Sequence, residues 1–254
     1  MERYQKIFQN ISFLIKDLTT SIVRLSGYSK DEIVDFASQL MACDIGFQSK
    51  ILSYELMHRY TLKKSKQLEI IAREEVKQEV GVLTETSRAM FETIAFFEAY
   101  LNAFYSLLQI IAKLTPFFYK TDFPELTIPD RTFGSQVNFF RKHSNSPDSE
   151  YSSYIENKLW RWYEILKNNR HAITHRAAVF VGFGKEGRIV FLDPPKNGDK
   201  RYWIKTNKPH VNLENYLTNN FDSLFDFLDF YLTHFRKKVP ESERTQILKK
   251  AKTR

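Results

Sequence analysis

The chain has 254 residues, 43% of them hydrophobic and 27% charged, which suits one large domain or two small ones and excludes a disordered chain. Gly and Pro number 8 each against 22 Phe and 13 Tyr, a balance that favours long helices around an aromatic core. The net charge of +8 points toward polyanionic partners, and residues 240–254 supply +3 of it from five basic and two acidic side chains. A single cysteine, Cys43, excludes a disulfide framework within one chain and any zinc site built on cysteine pairs. The charged start leads into no hydrophobic signal region, and the uncharged run at 99–112 is shorter than the ~20 residues of a membrane span. A soluble, cytoplasmic protein with no membrane contact is therefore expected.

Residues 1–26 carry Ile7, Phe8, Ile11, Leu14, Ile15, Leu18 and Ile22 at steps of three and four, the pattern of an amphipathic helix that Gly27 ends. Ser29-Lys30-Asp31-Glu32 reads as a capping box, in which Ser29 and Glu32 each satisfy the other's backbone amide. It opens a second helix to about residue 60. A charged third helix follows from 63 to about 80, with Gly81 as its breaker. Residues 87–114 are apolar around most of the helical circumference and should lie centrally. One polar line interrupts them: Glu98, Asn102, Ser106 or Gln109, and Lys113. Thr115-Pro116 closes this helix, and a loop with Pro124 and Pro129 leads to a short helix at 135–143. Ser146-Pro147-Asp148-Ser149 then starts a long helix, about 150–175.

Beyond Arg176 the pattern becomes strand, turn, strand at 178–183, 184–187 and 188–192, with a candidate third strand at 201–205. A last helix spans about 213–238 and places Leu217, Phe221, Leu224, Phe225, Leu228 and Leu232 on one side. No internal repeat is present. The sum is a mostly α protein with a small β-hairpin insert.

The densest group of chemically able side chains is Asn168-Asn169-Arg170-His171-Ala172-Ile173-Thr174-His175-Arg176, at the end of the second long helix. Three readings compete for it. His171 and His175 lie four apart, as metal ligands on one helix face would, but Ala172 stands where a zinc protease needs Glu. Arg170, His171, His175 and Arg176 also suit a basic cap on the negative end of the helix dipole. The third reading is acid–base chemistry on a phosphodiester. Histidine transfers protons near neutral pH, and the arginine fork matches phosphate oxygens.

Arg170-x4-His175 resembles the R-x4-6-H motif of the HEPN superfamily of compact α-helical domains. The likeness covers roughly residues 84 to 238, with a long apolar helix before the motif helix and another helix after it. It implies an antiparallel helical bundle at 84–238 with the hairpin inserted at about 178–205. Residues 1–83 would be an additional N-terminal helical region and 239–254 a basic tail. It further implies a homodimer whose motif helices meet, and a metal-independent ribonuclease with no cofactor, of the kind found in toxin–antitoxin, phage-defence or RNA-processing systems. An antitoxin or other protein would be a further partner. Other family members are inactive modules that bind nucleotide, RNA or protein. By this resemblance Arg170 would hold the scissile phosphate, His175 would be acid or base, and His171 would orient the phosphate or share proton transfer. Asn169 and Thr174 would support them, and Lys167 and Arg176 would contact RNA.

Geometry sharpens the expectation. On one ideal helix Arg170 and His175 lie about 140° apart, so either the helix ends between them or two chains pool their side chains. Glu98, set in an apolar surface, needs a partner, and Arg170 is the one expected, with Asn102 one turn on. The competing reading makes the polar line a strip facing solvent. Trp160, Trp162 and Tyr163 read as core, and His58, His143, His210 and His234 as incidental.

Overall fold

A computed structural model of the chain describes residues 2–24, 27–77, 84–120, 126–142, 148–176, 181–183, 188–192 and 210–239. These residues are mostly helical, with a small three-stranded antiparallel sheet. The helices are α1 (Glu2–Val23), α2 (Lys30–Lys77), α3 (Thr84–Leu114), α4 (Phe133–Lys142), α5 (Ser149–Tyr154), α6 (Trp160–Arg176) and α7 (Leu213–Arg236). A 3-10 turn, Thr115–Phe118, follows α3, and a π turn, Ile155–Leu159, joins α5 to α6.

Local signals set the helix ends. The Ser29 amide donates to Glu32 Oε2 at 2.8 Å and the Glu32 amide to Ser29 Oγ at 3.2 Å, a reciprocal capping box. Those hydrogen bonds, the Ser29 amide's above all, hold the Glu32 carboxyl below its ordinary value. Gly27 has φ +103°, a left-handed conformation that a side chain would strain. Asp148 caps α5 by accepting the Tyr151 amide at 2.9 Å, and Asn212 caps α7 by accepting the Asn215 amide at 2.9 Å.

The two helices expected at 30–60 and 63–80 are one uninterrupted helix, α2. No Gly or Pro breaks the seam, and Thr61 returns its hydroxyl to the Met57 carbonyl at 2.6 Å, so its polar group is satisfied inside the helix. The strands are β1 (Val181–Phe183), β2 (Ile189–Leu192) and β3 (His210–Asn212). β2 is central, pairing Gly182 with Val190 on one side and Val211 with Phe191 on the other. The third strand is thus at 210–212; the candidate at 201–205, Gly81 and residues 240–254 lie outside the described residues. The uncharged run of α3 belongs to a wider stretch, Glu85–Phe118, which is long and apolar enough by length and composition to cross a membrane.

The chain divides into two compact units. The first comprises the described residues within 1–51, 107–159 and 224–239. Its core is Ile7, Ile11 and Leu14 of α1, Phe47 of α2, Leu108 and Ile111 of α3, Phe133 and Phe140 of α4, and Leu228, Tyr231 and Phe235 of α7, all fully buried or nearly so. Gly46 sits inside α2 where a Cβ would meet Ile110 Cδ1 at 3.1 Å, so helix and side chain approach closely there. Buried Asp17 is neutralised by Arg236, whose Nη1 lies 2.6 Å from its Oδ2.

A second buried carboxylate organises this unit. Asp148 Oδ2 lies 2.7 Å from His234 Nε2 and 3.1 Å from Lys238 Nζ, and accepts the Tyr119 hydroxyl at 2.8 Å. Burial by itself would raise the Asp148 carboxyl. The hydrogen bonds from His234, the Tyr151 amide and Tyr119 overcome that and hold it well below the usual carboxylate range. His234 is therefore a buried structural partner.

The second unit comprises residues 52–106 and 160–223. Phe97, Tyr100 and Phe104 of α3, Tyr163 and Leu166 of α6, Phe191 of β2, and Tyr216 and Leu217 of α7 fill its core. Tyr54 lies 4.9 Å from Phe104 and 5.2 Å from Tyr100, centroid to centroid. His58 packs 4.7 Å from Phe221, and burial lowers its basicity against the pull of a hydrogen bond with the Leu217 backbone.

Because the Asp148 carboxyl titrates below its unfolded value of about 3.9, its stabilisation is complete at neutral pH and is lost as pH falls from about 4 downward. Asp148→Ala is expected to cost about 3–5 kcal/mol near neutral pH, since it leaves the buried His234 Nε2 without its carboxylate partner and removes an ion pair from the half-buried Lys238. Urea unfolding across pH should show the gap between variant and wild type narrowing in acid. A gap that stays constant would remove this role.

Candidate functional site

The motif side chains stand on α6, which buries Tyr163, Leu166 and Asn169 along one face. Arg170 follows at the edge of that face and is half-buried, while His171 is exposed. The inward turn of Asn169 has a clear cause: its Nδ2 donates to the Tyr216 hydroxyl of α7 at 2.8 Å, inside the unit. Asn169 Oδ1 is also buried and has no hydrogen-bond partner among the described residues.

Arg170 is held from the other side. Its guanidinium carbon lies 4.4 Å from the centroid of the Tyr105 ring on α3, a cation–π contact that braces the fork. Tyr163, buried about two turns earlier on α6, has its hydroxyl raised chiefly by burial and by the neighbouring Tyr105. Arg170 thus has an aromatic floor that the sequence reading did not name. Its one available signal was an aromatic residue on α3 next to the polar line.

The side chain described against Arg170 is the Tyr105 ring rather than the expected Glu98. Glu98 is half-buried, and among the described residues no hydrogen bond or ion pair joins it to Arg170. Asn102 is exposed, as is Lys113 further along α3, so these positions of the polar line face solvent. Lys167 is exposed too and pairs with Glu164 on its own helix at 3.1 Å. The side chains of Thr174, His175 and Arg176 lie outside the described residues, although the backbone there is helical.

That helical backbone decides one open question. α6 runs unbroken through Arg176, so no helix end falls between Arg170 and His175. The two positions stay about 140° apart around one helix, whereas 171 and 175 share a face. Among the described residues no group of three or more His, Cys, Asp or Glu converges as a metal-binding set. A cavity of about 710 Å³ opens in the first unit between Phe36, Cys43, Ile110, Lys113, Phe117 and Lys120; no motif residue lines it. Trp162 packs against Phe104 at 5.2 Å and Tyr163 is buried, so both belong to the core.

No family model, curated protein or solved structure matches this chain. The site therefore stands on its own chemistry.

Tyr216→Phe tests the seating of α6. It leaves the buried Asn169 amide without its acceptor and is expected to cost about 1–3 kcal/mol in urea unfolding. An unchanged midpoint would show that Asn169 does not anchor the helix.

Proposed function

We propose that this chain is a HEPN-type, metal-independent endoribonuclease whose active site is shared between two copies. The observation that carries the reading is α6 itself. It presents Arg170, His171 and His175 at the end of one unbroken helix, with the Arg170 fork steadied on Tyr105. A phosphate-binding arginine gains from such a rigid floor, because a fork already oriented loses less entropy on meeting its oxygens. A separation of about 140° around the helix favours pooling of groups from two chains over convergence within one.

The chemistry is short. His175 of one protomer takes the proton of a ribose 2′-hydroxyl, and that oxygen attacks the adjacent phosphorus. The bond to the 5′-oxygen breaks, and the leaving oxygen takes a proton from the partner's His175. A 2′,3′-cyclic phosphate remains on one fragment and a 5′-hydroxyl on the other. Arg170 stabilises the charge that builds on the phosphoryl oxygens. His171 shares the exposed side of the helix and orients the same phosphate, Lys167 and Arg176 bind the flanking backbone, and Asn169 and Thr174 support the motif. A toxin held by an antitoxin, or a defence enzyme, is the setting proposed for such an activity.

A second reading draws on a specific observation. Two motif residues, Asn169 and Arg170, have their side chains against Tyr216 and Tyr105, contacts that also serve packing alone. That arrangement suits an inactive HEPN-like module that binds nucleotide, RNA or a partner protein.

Cleavage of a mixed-sequence RNA in EDTA separates the two. The ribonuclease should leave 2′,3′-cyclic phosphate ends, and His175→Ala and Arg170→Ala should each slow it by about 100-fold or more with helical content unchanged. RNA bound but left whole by wild-type protein would favour the binding module. Equal cutting by the His175→Ala variant would end the ribonuclease assignment.

A further inference from the structure

α2 carries an apolar line that neither the core nor the motif uses. Val34, Met41, Ile45, Leu52 and Leu56 are each between 41% and 67% exposed, although all are large aliphatic side chains. They follow one another at steps of seven and four, the spacing that returns to a single helix face. α2 is one helix throughout this stretch. Ser38, Ala42 and Ser49 border the line and are small, so another helix would approach closely.

The order of residues along this face is nearly palindromic. We propose that the exposed face of α2 pairs with the same face of a second copy, antiparallel, about a two-fold axis between Gln48 and Ser49. In that register Ile45 lies opposite Leu52 and Met41 opposite Leu56, and symmetry makes each contact twice. Val34 lies opposite Lys63, whose aliphatic stem covers it while the ammonium reaches Asp31 and Asp35 of the other helix.

Charge selects the antiparallel sense. From Lys30 to Gln48 the helix bears Asp31, Glu32, Asp35 and Asp44 against Lys30, a net −3. From Ser49 to Gln67 it bears Lys50, Arg59, Lys63, Lys64 and Lys66 against Glu55, a net +4 that falls to +2 once Lys64 is paired with Glu92 and Lys66 with Glu214. An antiparallel pair sets each acidic half on a basic half and opposes the two helix dipoles. A parallel pair would stack like on like. This surface contains no α6 residue, so substitutions on it leave the residues of the ribonuclease reading in place, and a chain that pairs through both faces assembles beyond a dimer.

Sedimentation equilibrium on the full chain at tens of micromolar should give at least twice the 30.1 kDa chain mass. Ile45→Glu with Leu52→Glu should weaken association by about 100-fold or more, with helical content unchanged because both sites are exposed. Ile45→Cys with Leu52→Cys should oxidise to a covalent dimer, while Ile45→Cys alone should not. Reversal of the charge at Lys63 (Lys63→Glu) should weaken the dimer several-fold, most at low salt. A species of chain mass only would overturn the proposal. So would a dimer indifferent to the double glutamate variant, or efficient cross-linking by Ile45→Cys alone, which marks a parallel pair.

Discussion

A buried carboxylate is tolerable only when its surroundings cancel its charge, and the first unit is arranged to meet that demand at Asp148. Three segments far apart in sequence converge there: Tyr119 after the 3-10 turn, the first amides of α5, and His234 with Lys238 at the end of α7. Remove the carboxylate and buried His234 loses its partner, while half-buried Lys238 loses an ion pair. The aromatic side chains around it, Tyr151, Phe140 and Phe235, supply the apolar enclosure that makes these hydrogen bonds strong. Asp17 with Arg236 repeats the arrangement on a smaller scale, again joining the end of α7 to an early helix.

The helices were legible because their signals are local. The capping box at Ser29, the turn at Gly27 and the cap before α5 depend on neighbours within four residues, and periodicity gave the inward faces of α1 and α7. The seam in α2 was misjudged because a change from apolar to charged composition looks like a boundary, whereas a helix ends only where its backbone bonds are interrupted. β3 escaped notice because three residues next to a helix cap carry too little pattern to mark a strand. The partners of Asp148 and His234 escaped it for another reason: 86 positions separate them, and nothing local in either segment points to the other.

The site was legible as residue types, but not as contacts. Reading Arg170 with His175 identified a helix end rich in groups able to bind phosphate. The partner expected for Arg170 was a carboxylate, Glu98, on grounds of charge, and the residue beneath it is an aromatic ring, Tyr105. Sequence shows which residues carry opposite charges more readily than which flat surfaces meet. Asn169 illustrates the same limit, since its amide is spent on Tyr216, across the unit rather than toward any substrate.

Gly46 shows how one missing side chain constrains later change. Glycine inside a helix costs about 1 kcal/mol relative to alanine, so drift toward alanine would ordinarily be rewarded. Here the added methyl group would press on Ile110 at 3.1 Å, and the gain in helix propensity would be returned as a shift of that side chain. What the position can become therefore depends on how far residue 110 gives way, and substitutions at the two should be coupled rather than additive.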